Sequence, residues 1–295
     1  KEAHNTMRKE IILPGLALGG GLAGFGLRRW QWLSAYDAQT QLYLHGAPAT
    51  FALLALTALL VLAFLVLCRG KRRPEGFLDA FFCPSPGFMG LMAASGFCFL
   101  GAGLLGLLEW MDQFQLFRIS RDAYLSAYPA ALLPVLLLTV LLTFGSGAAL
   151  LLVGRAAYRG QLDRLTSLLS VLPGYTGLCW LFATHLLHGT DPVAMRYGFS
   201  LAATILMMLC HYFAAGFFFG RSHPQLLTFC ASLGISLGII SLADGPSWFQ
   251  LALTAAFLLS LLGYGYALLS NNSFPAGERM PSGAEREESS IPNEE

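Results

Sequence analysis

The chain has 295 residues, of which 55% are hydrophobic and only 12% charged, and its mean hydropathy is +0.59; ordinary soluble domains carry about 25% charged residues. The apolar residues come in long blocks rather than in alternating or heptad patterns, which excludes a water-soluble fold and fits a chain surrounded by lipid. A net charge of +1, with no basic patch interleaved with aromatics, argues against nucleic acid as a partner.

A transmembrane helix needs about 20 mostly apolar residues to cross about 30 Å of hydrocarbon. Eight blocks qualify: 11–27, 46–68, 88–108, 128–153, 165–187, 197–219, 225–243 and 248–269. The expected fold is an all-α, polytopic transmembrane bundle of about eight helices spanning 11–270, with residues 1–10 and a tail, 271–295, both in the cytoplasm. The first block is Gly-rich and follows Arg8-Lys9, as in a signal peptide. Arg28-Arg29 and Trp30 stand where a small-residue cleavage site belongs, so the block reads as a retained helix. Met7-Arg8-Lys9 resembles a native start.

In the first block Gly15/Gly19 and Gly20/Gly24 fit the spacing that lets helices approach closely, as do Gly234/Gly238 in the seventh. The first two outer connections share a layout. Trp30 leads to Tyr43-Leu44 and Pro48-Ala49, and Trp110 to Tyr124-Leu125 and Pro129-Ala130, as a parallel internal repeat would. Between blocks two and three, Arg69 to Arg73 precede Phe77–Pro84. That stretch reads either as a segment lying on anionic lipid or as a stop-transfer cluster followed by an interfacial turn.

The fifth block contains Leu172-Pro173-Gly174-Tyr175-Thr176-Gly177, where a missing backbone donor and a flexible residue predict a break. Broken helices expose backbone dipoles to substrates in several carriers, so Pro173, Gly174, Tyr175, Thr176 and, further out, His185 form the candidate substrate pathway. Asp37, Glu109, His188, Asp191 and Arg196 form a candidate outer-face polar cluster. His185 and His188 share a helix face near Asp191, but histidines at a wet interface need no metal, and neither metal nor cofactor is expected.

No Asp, Glu, Lys or Arg stands in the middle of a block, which argues against a proton-coupled carrier built on a buried carboxylate. There is no HExxH, GxSxG or P-loop, so no enzyme is expected. The six cysteines have no paired spacing and read as small buried hydrophobes. Thirteen Lys and Arg fall on the side holding both termini and five on the other, which gives an N-in, C-in orientation. Trp30, Trp32, Trp110 and Trp248 lie at the outer interface, where an indole buries its ring and keeps its N–H wet. The tail from 271, rich in Ser, Pro, Gly and Glu, cannot bury enough apolar area to offset chain entropy and is expected to be disordered.

Tyr36-Asp37-Ala38-Gln39-Thr40, Asp191-Pro192 and the stretch from Tyr212 through Gly220-Arg221 resemble uncharacterised multi-pass membrane proteins of clostridial-type bacteria. The resemblance implies a bacterial inner-membrane location and supplies no activity. The helix count is also similar to that of membrane anchors of DMSO-reductase-type enzymes, with no quinol-site residue to match. The leading expectation is a carrier or channel for a small uncharged or weakly charged solute. Its rival is a non-transporting anchor, scaffold or sensor that docks a membrane or extracytoplasmic partner through its outer loops, 28–47 and 109–127.

Overall fold

The computed structural model describes residues 9–37, 39–40, 42–69, 74, 76–122, 129–188 and 197–272. In chain order the helices are α1 (Lys9–Ala35), α2 (Pro48–Leu67), α3 (Phe77–Phe81), α4 (Pro86–Asp122), α5 (Leu132–Arg159), α6 (Arg164–Leu169), α7 (Leu172–His188), α8 (Gly198–Phe218), α9 (Pro224–Ser241) and α10 (Trp248–Asn272). Eight spans among these residues are long and apolar enough to cross a membrane, with α6 and α7 together making the fifth. An even number of crossings puts the start of α1 and the end of α10 on one face, the terminal face; the opposite one is the distal face.

Local chemistry explains the boundaries. Pro48, Pro86 and Pro224 open α2, α4 and α9, where a missing N–H costs nothing. Gly160 closes α5 with φ +67°, a left-handed conformation that favours glycine. Inside the spans, hydroxyls turn back onto their own helix: Thr57, Thr139, Thr143, Thr204, Thr228 and Thr254 each donate to the carbonyl four residues earlier. A polar side chain satisfied this way needs no partner in lipid.

Six helices form a closed circuit: α4, α5, α7, α8, α9 and α10 each pack on the next, and α10 returns to α4. Its interior is filled. Phe257 of α10 meets Phe99 of α4 with ring centroids 4.9 Å apart, His211 of α8 at 5.1 Å and Trp180 of α7 at 6.0 Å. Against this circuit lies α1, packed on α9, and α2 lies on α1. Burial follows that order: 83% of the seventh span's apolar window is buried, against 17% of the second. Small residues set the closest crossings. A Cβ on Gly147 would lie 2.8 Å from the Gly96 carbonyl oxygen, and one on Gly238 2.5 Å from Met207. Of the first block's glycines, Gly20 and Gly24 pack on Leu60 and Ile240, whereas Gly15 and Gly19 face open space.

Several boundaries differ from the sequence reading. Helix α1 continues through Arg28 and Trp30 to Ala35, and α4 runs past Trp110 to Asp122, so much of what reads as outer loop is helix. At about 1.5 Å per residue the 37 residues of α4 extend about 55 Å, well beyond the hydrocarbon. The first outer connection then forms a short antiparallel hairpin pairing Tyr36 with Tyr43, so its layout differs from the helical second connection; Tyr124 and Leu125 lie outside the described residues.

The aromatic run after the basic cluster does not lie on lipid. Phe77, Ala80 and Phe81 are buried, Phe77 stacks on Phe218 at 3.9 Å, and Phe81 meets Phe217 and Tyr264 edge-on. The carbonyls of Ala80 and Phe82 accept from the Asn271 side-chain amide at 2.8 and 3.0 Å. Asn271 is therefore an ordered helix end rather than the start of a disordered tail; 273–295 lie outside the described residues. All six cysteines are free thiols, and burial pushes the Cys83 thiol above its ordinary pKa.

Candidate functional site

The chemistry concentrates on the distal face, in two places. The first is a cleft where α4, α5, α7 and α10 meet. Ser247 and Gln250 cap α10 reciprocally: the Ser247 hydroxyl accepts the Gln250 backbone N–H, and the Gln250 side-chain oxygen accepts that of Ser247, both at 3.3 Å. This capping box fixes the helix start and aims the Ser247 hydroxyl, which donates to Glu109 Oε2 at 2.5 Å. Glu109, Gln113, Leu132, Leu136, Phe249 and Gln250 line one side, and Trp180, Ala183, Thr184 and Leu187 the other. The latter four stand at i, i+3, i+4 and i+7, one face of α7. The cleft is narrow, about 20 Å³, room for one or two waters.

Two polar groups in this cleft are buried without a hydrogen-bond partner, Trp180 Nε1 and Thr184 Oγ1; each side chain is only 4% exposed. An unsatisfied buried donor costs about 1–3 kcal/mol, so the cleft favours any guest that accepts from the indole and bonds the threonine. Glu109, opposite, accepts a proton donor. Trp180 also stacks on Phe257 of the circuit's interior at 6.0 Å.

The second place is a buried cation. Arg28 is fully buried, and its Nε donates to Asp244 Oδ1 at 2.6 Å. Its Nη1 donates to Gln31 Oε1 at 2.5 Å, and Gln31 passes a bond to Thr50 of α2 at 2.8 Å. Trp32 donates its indole N–H to the same Asp244 oxygen at 3.1 Å. The guanidinium carbon also lies 5.2–5.7 Å from the ring centroids of Trp32, Tyr43 and Phe199. Arg28, Gln31 and Trp32 converge because they stand at i, i+3 and i+4 on one helix face. This constellation fastens the first two spans to the circuit, and the sequence reading, which placed Arg28 in a loop, missed it. The signal that was present is the polar i, i+3 pair Arg28/Gln31 continuing the periodicity of the apolar block.

The nominated residues are dispersed. Pro173 and Thr176 face inward, and Thr176 shares a 2.8 Å hydrogen bond with Ser146 of α5. Tyr175 and His185 point outward, so these residues line no common passage. The break itself falls at Ser170-Val171, before Pro173, which sits in the first turn of α7. At 1.5 Å per residue that is roughly 10 Å from the Arg164 end, short of the span's middle. In the outer cluster, Glu109 is in the cleft and His188 stacks on Tyr197 at 5.0 Å. Asp37 is spent inside the hairpin, accepting from the Gln39 N–H and the Thr40 hydroxyl, bonds that hold its carboxyl below the ordinary pKa. Asp191 and Arg196 lie outside the described residues. Two indoles expected to face water, Trp32 and Trp110, instead donate to Asp244 and to the Leu133 carbonyl. Among the described residues no group of three or more His, Cys, Asp or Glu side chains could hold a metal ion. No family model, curated protein or solved structure matches this chain.

Proposed function

We propose that the chain is a multi-pass protein of a bacterial cytoplasmic membrane, its terminal face in the cytoplasm, acting as a non-transporting, sensor-type subunit without catalytic activity. It receives a small polar ligand from the far side, in the cleft of Glu109, Trp180 and Thr184. One observation carries the reading: two buried polar groups without a hydrogen-bond partner belong to residues that line the same cleft as Glu109. The ligand accepts from Trp180, bonds Thr184 and donates to Glu109, as the smallest alcohols do, the cleft having room for only one or two water-sized groups. The orientation rests on the excess of Lys and Arg on the terminal side.

The test uses the full chain in nanodiscs, screened for thermal stabilisation by hydroxyl compounds of one or two carbons. A ligand at 100 times its Kd stabilises by about 2.7 kcal/mol. At least one compound is expected to do so in the wild type and not in Thr184→Val, with flux of that compound into proteoliposomes equal to that of protein-free vesicles. Saturable flux would overturn the non-transporting reading, and the absence of any Thr184-dependent ligand would overturn the cleft assignment. A carrier for a small uncharged or weakly charged solute is the second reading, favoured by the interrupted fifth span.

A further inference from the structure

We propose that the groove between the interrupted fifth span and the terminal end of α8 holds one anionic phospholipid. Its phosphate lies against Arg221 and His223, and an acyl chain runs along Phe219 and Tyr212 toward Val171. The groove measures about 550 Å³ and is continuous in its lining, through His223, with a smaller hollow of about 260 Å³; ligand sites commonly span about 300–1,000 Å³.

The two basic groups are placed by the fold. Gly220 turns the chain with φ +70°, and the Arg221 N–H donates to the Gly216 carbonyl at 2.8 Å. Only a glycine allows that return, because a Cβ at 216 would lie 2.6 Å from the Arg221 carbonyl oxygen. His223 rests edge-on against Phe213 at 5.9 Å.

The polarity of the groove matches a lipid rather than a soluble anion. Among the described residues no carboxylate lines it. Its basic end is at the turn, where Phe219, 53% exposed, begins an aromatic wall that Tyr212, 63% exposed, continues about 10 Å deeper along the helix. Val171, in the break itself, lines its far end. Guanidinium and phosphate form strong charge-assisted hydrogen bonds. The terminal face, rich in Lys and Arg, is the one that meets the anionic leaflet.

The experiment is native mass spectrometry of the full chain, released from micelles containing equal amounts of phosphatidylglycerol and phosphatidylcholine with identical acyl chains. Wild type is expected to retain phosphatidylglycerol about fivefold over phosphatidylcholine, the factor one arginine contributes near anionic headgroups. The double variant Arg221→Gln/His223→Gln should retain both equally at an unchanged melting temperature, and Val171→Trp, which fills the groove, should lose the tightly held adduct. Equal retention by wild type, or a preference that survives in the double variant, overturns the proposal. Displacement of the lipid by millimolar glycerol 3-phosphate would also overturn it, making the site one for a soluble phosphate.

Discussion

Replacing Asp244 with leucine leaves the Arg28 guanidinium, which is fully buried, without its counter-charge. The variant loses the 2.6 Å ion pair and the Trp32 indole bond to the same oxygen, while the Gln31 bond and the three aromatic faces remain. Breaking a buried pair from one side costs about 3–5 kcal/mol. The three rings, which contribute about 0.5–2 kcal/mol each, are present in wild type and variant alike and leave that difference in place. The double variant Arg28→Met/Asp244→Leu removes both charges together. It should recover most of the loss, because apolar replacement of a whole buried pair is often neutral. The assay is a double-mutant cycle on reversible unfolding in mixed detergent–lipid micelles with added SDS. A coupling energy of at least about 2 kcal/mol is expected, within the range for residues in direct contact. If Asp244→Leu costs less than about 1 kcal/mol, or the double variant is as unstable as the single, the pair does not fasten α1 to the circuit.

Gly147→Ala puts a methyl 2.8 Å from the Gly96 carbonyl oxygen and should destabilise by about 1–3 kcal/mol, whereas Gly15→Ala, in open space, should be neutral; the same unfolding assay compares them. Phe257→Ala removes the ring that fills the circuit and should cost about 3–5 kcal/mol, with faster hydrogen exchange in α7 and α8. Asn271→Ala strips the amide from two carbonyls and should speed hydrogen exchange across 77–83, with a loss of about 1–3 kcal/mol. The Asp37 carboxyl is held below its ordinary pKa by the hairpin bonds. The order it confers is complete above the unfolded-state pKa and is lost as pH falls through the lower folded-state value. Amide shifts of Gln39 and Thr40 should titrate below the ordinary carboxylate range, and Asp37→Asn should abolish that titration.

Apolar block length carried most of the fold, because lipid demands about 20 consecutive apolar residues whatever surrounds them. Edges were less legible. Helix α1 runs on through Arg28 and Trp32 because Gln31 and Asp244 supply partners, and Asp244 lies 216 positions away. The buried position of Phe77 and Phe81 likewise depends on Phe217, Phe218 and Tyr264, which no local pattern announces. In the cleft, Glu109 was visible as a carboxylate closing a block, and Ser247-Trp248-Phe249-Gln250 has the spacing of a capping box. Their meeting with Trp180 and Thr184 required three helices to converge. Pro173 signalled an interruption correctly, but a proline is tolerated in the first turn of a helix, so the break formed just ahead of it.

Besides α2, its neighbour in sequence, α1 has polar partners near the other end of the chain. Arg28 waits for Asp244, 216 positions later, and the Ala17 carbonyl waits for the Ser236 hydroxyl, 219 positions later. At about 5–20 residues per second, a ribosome takes roughly 10–40 s to deliver those partners after the first hairpin has entered the bilayer. During that interval the guanidinium has Gln31 and the Trp32 and Tyr43 rings beside it but not yet the Asp244 carboxylate. Chains stalled before residue 244 should therefore be cleared faster than complete chains released into the bilayer.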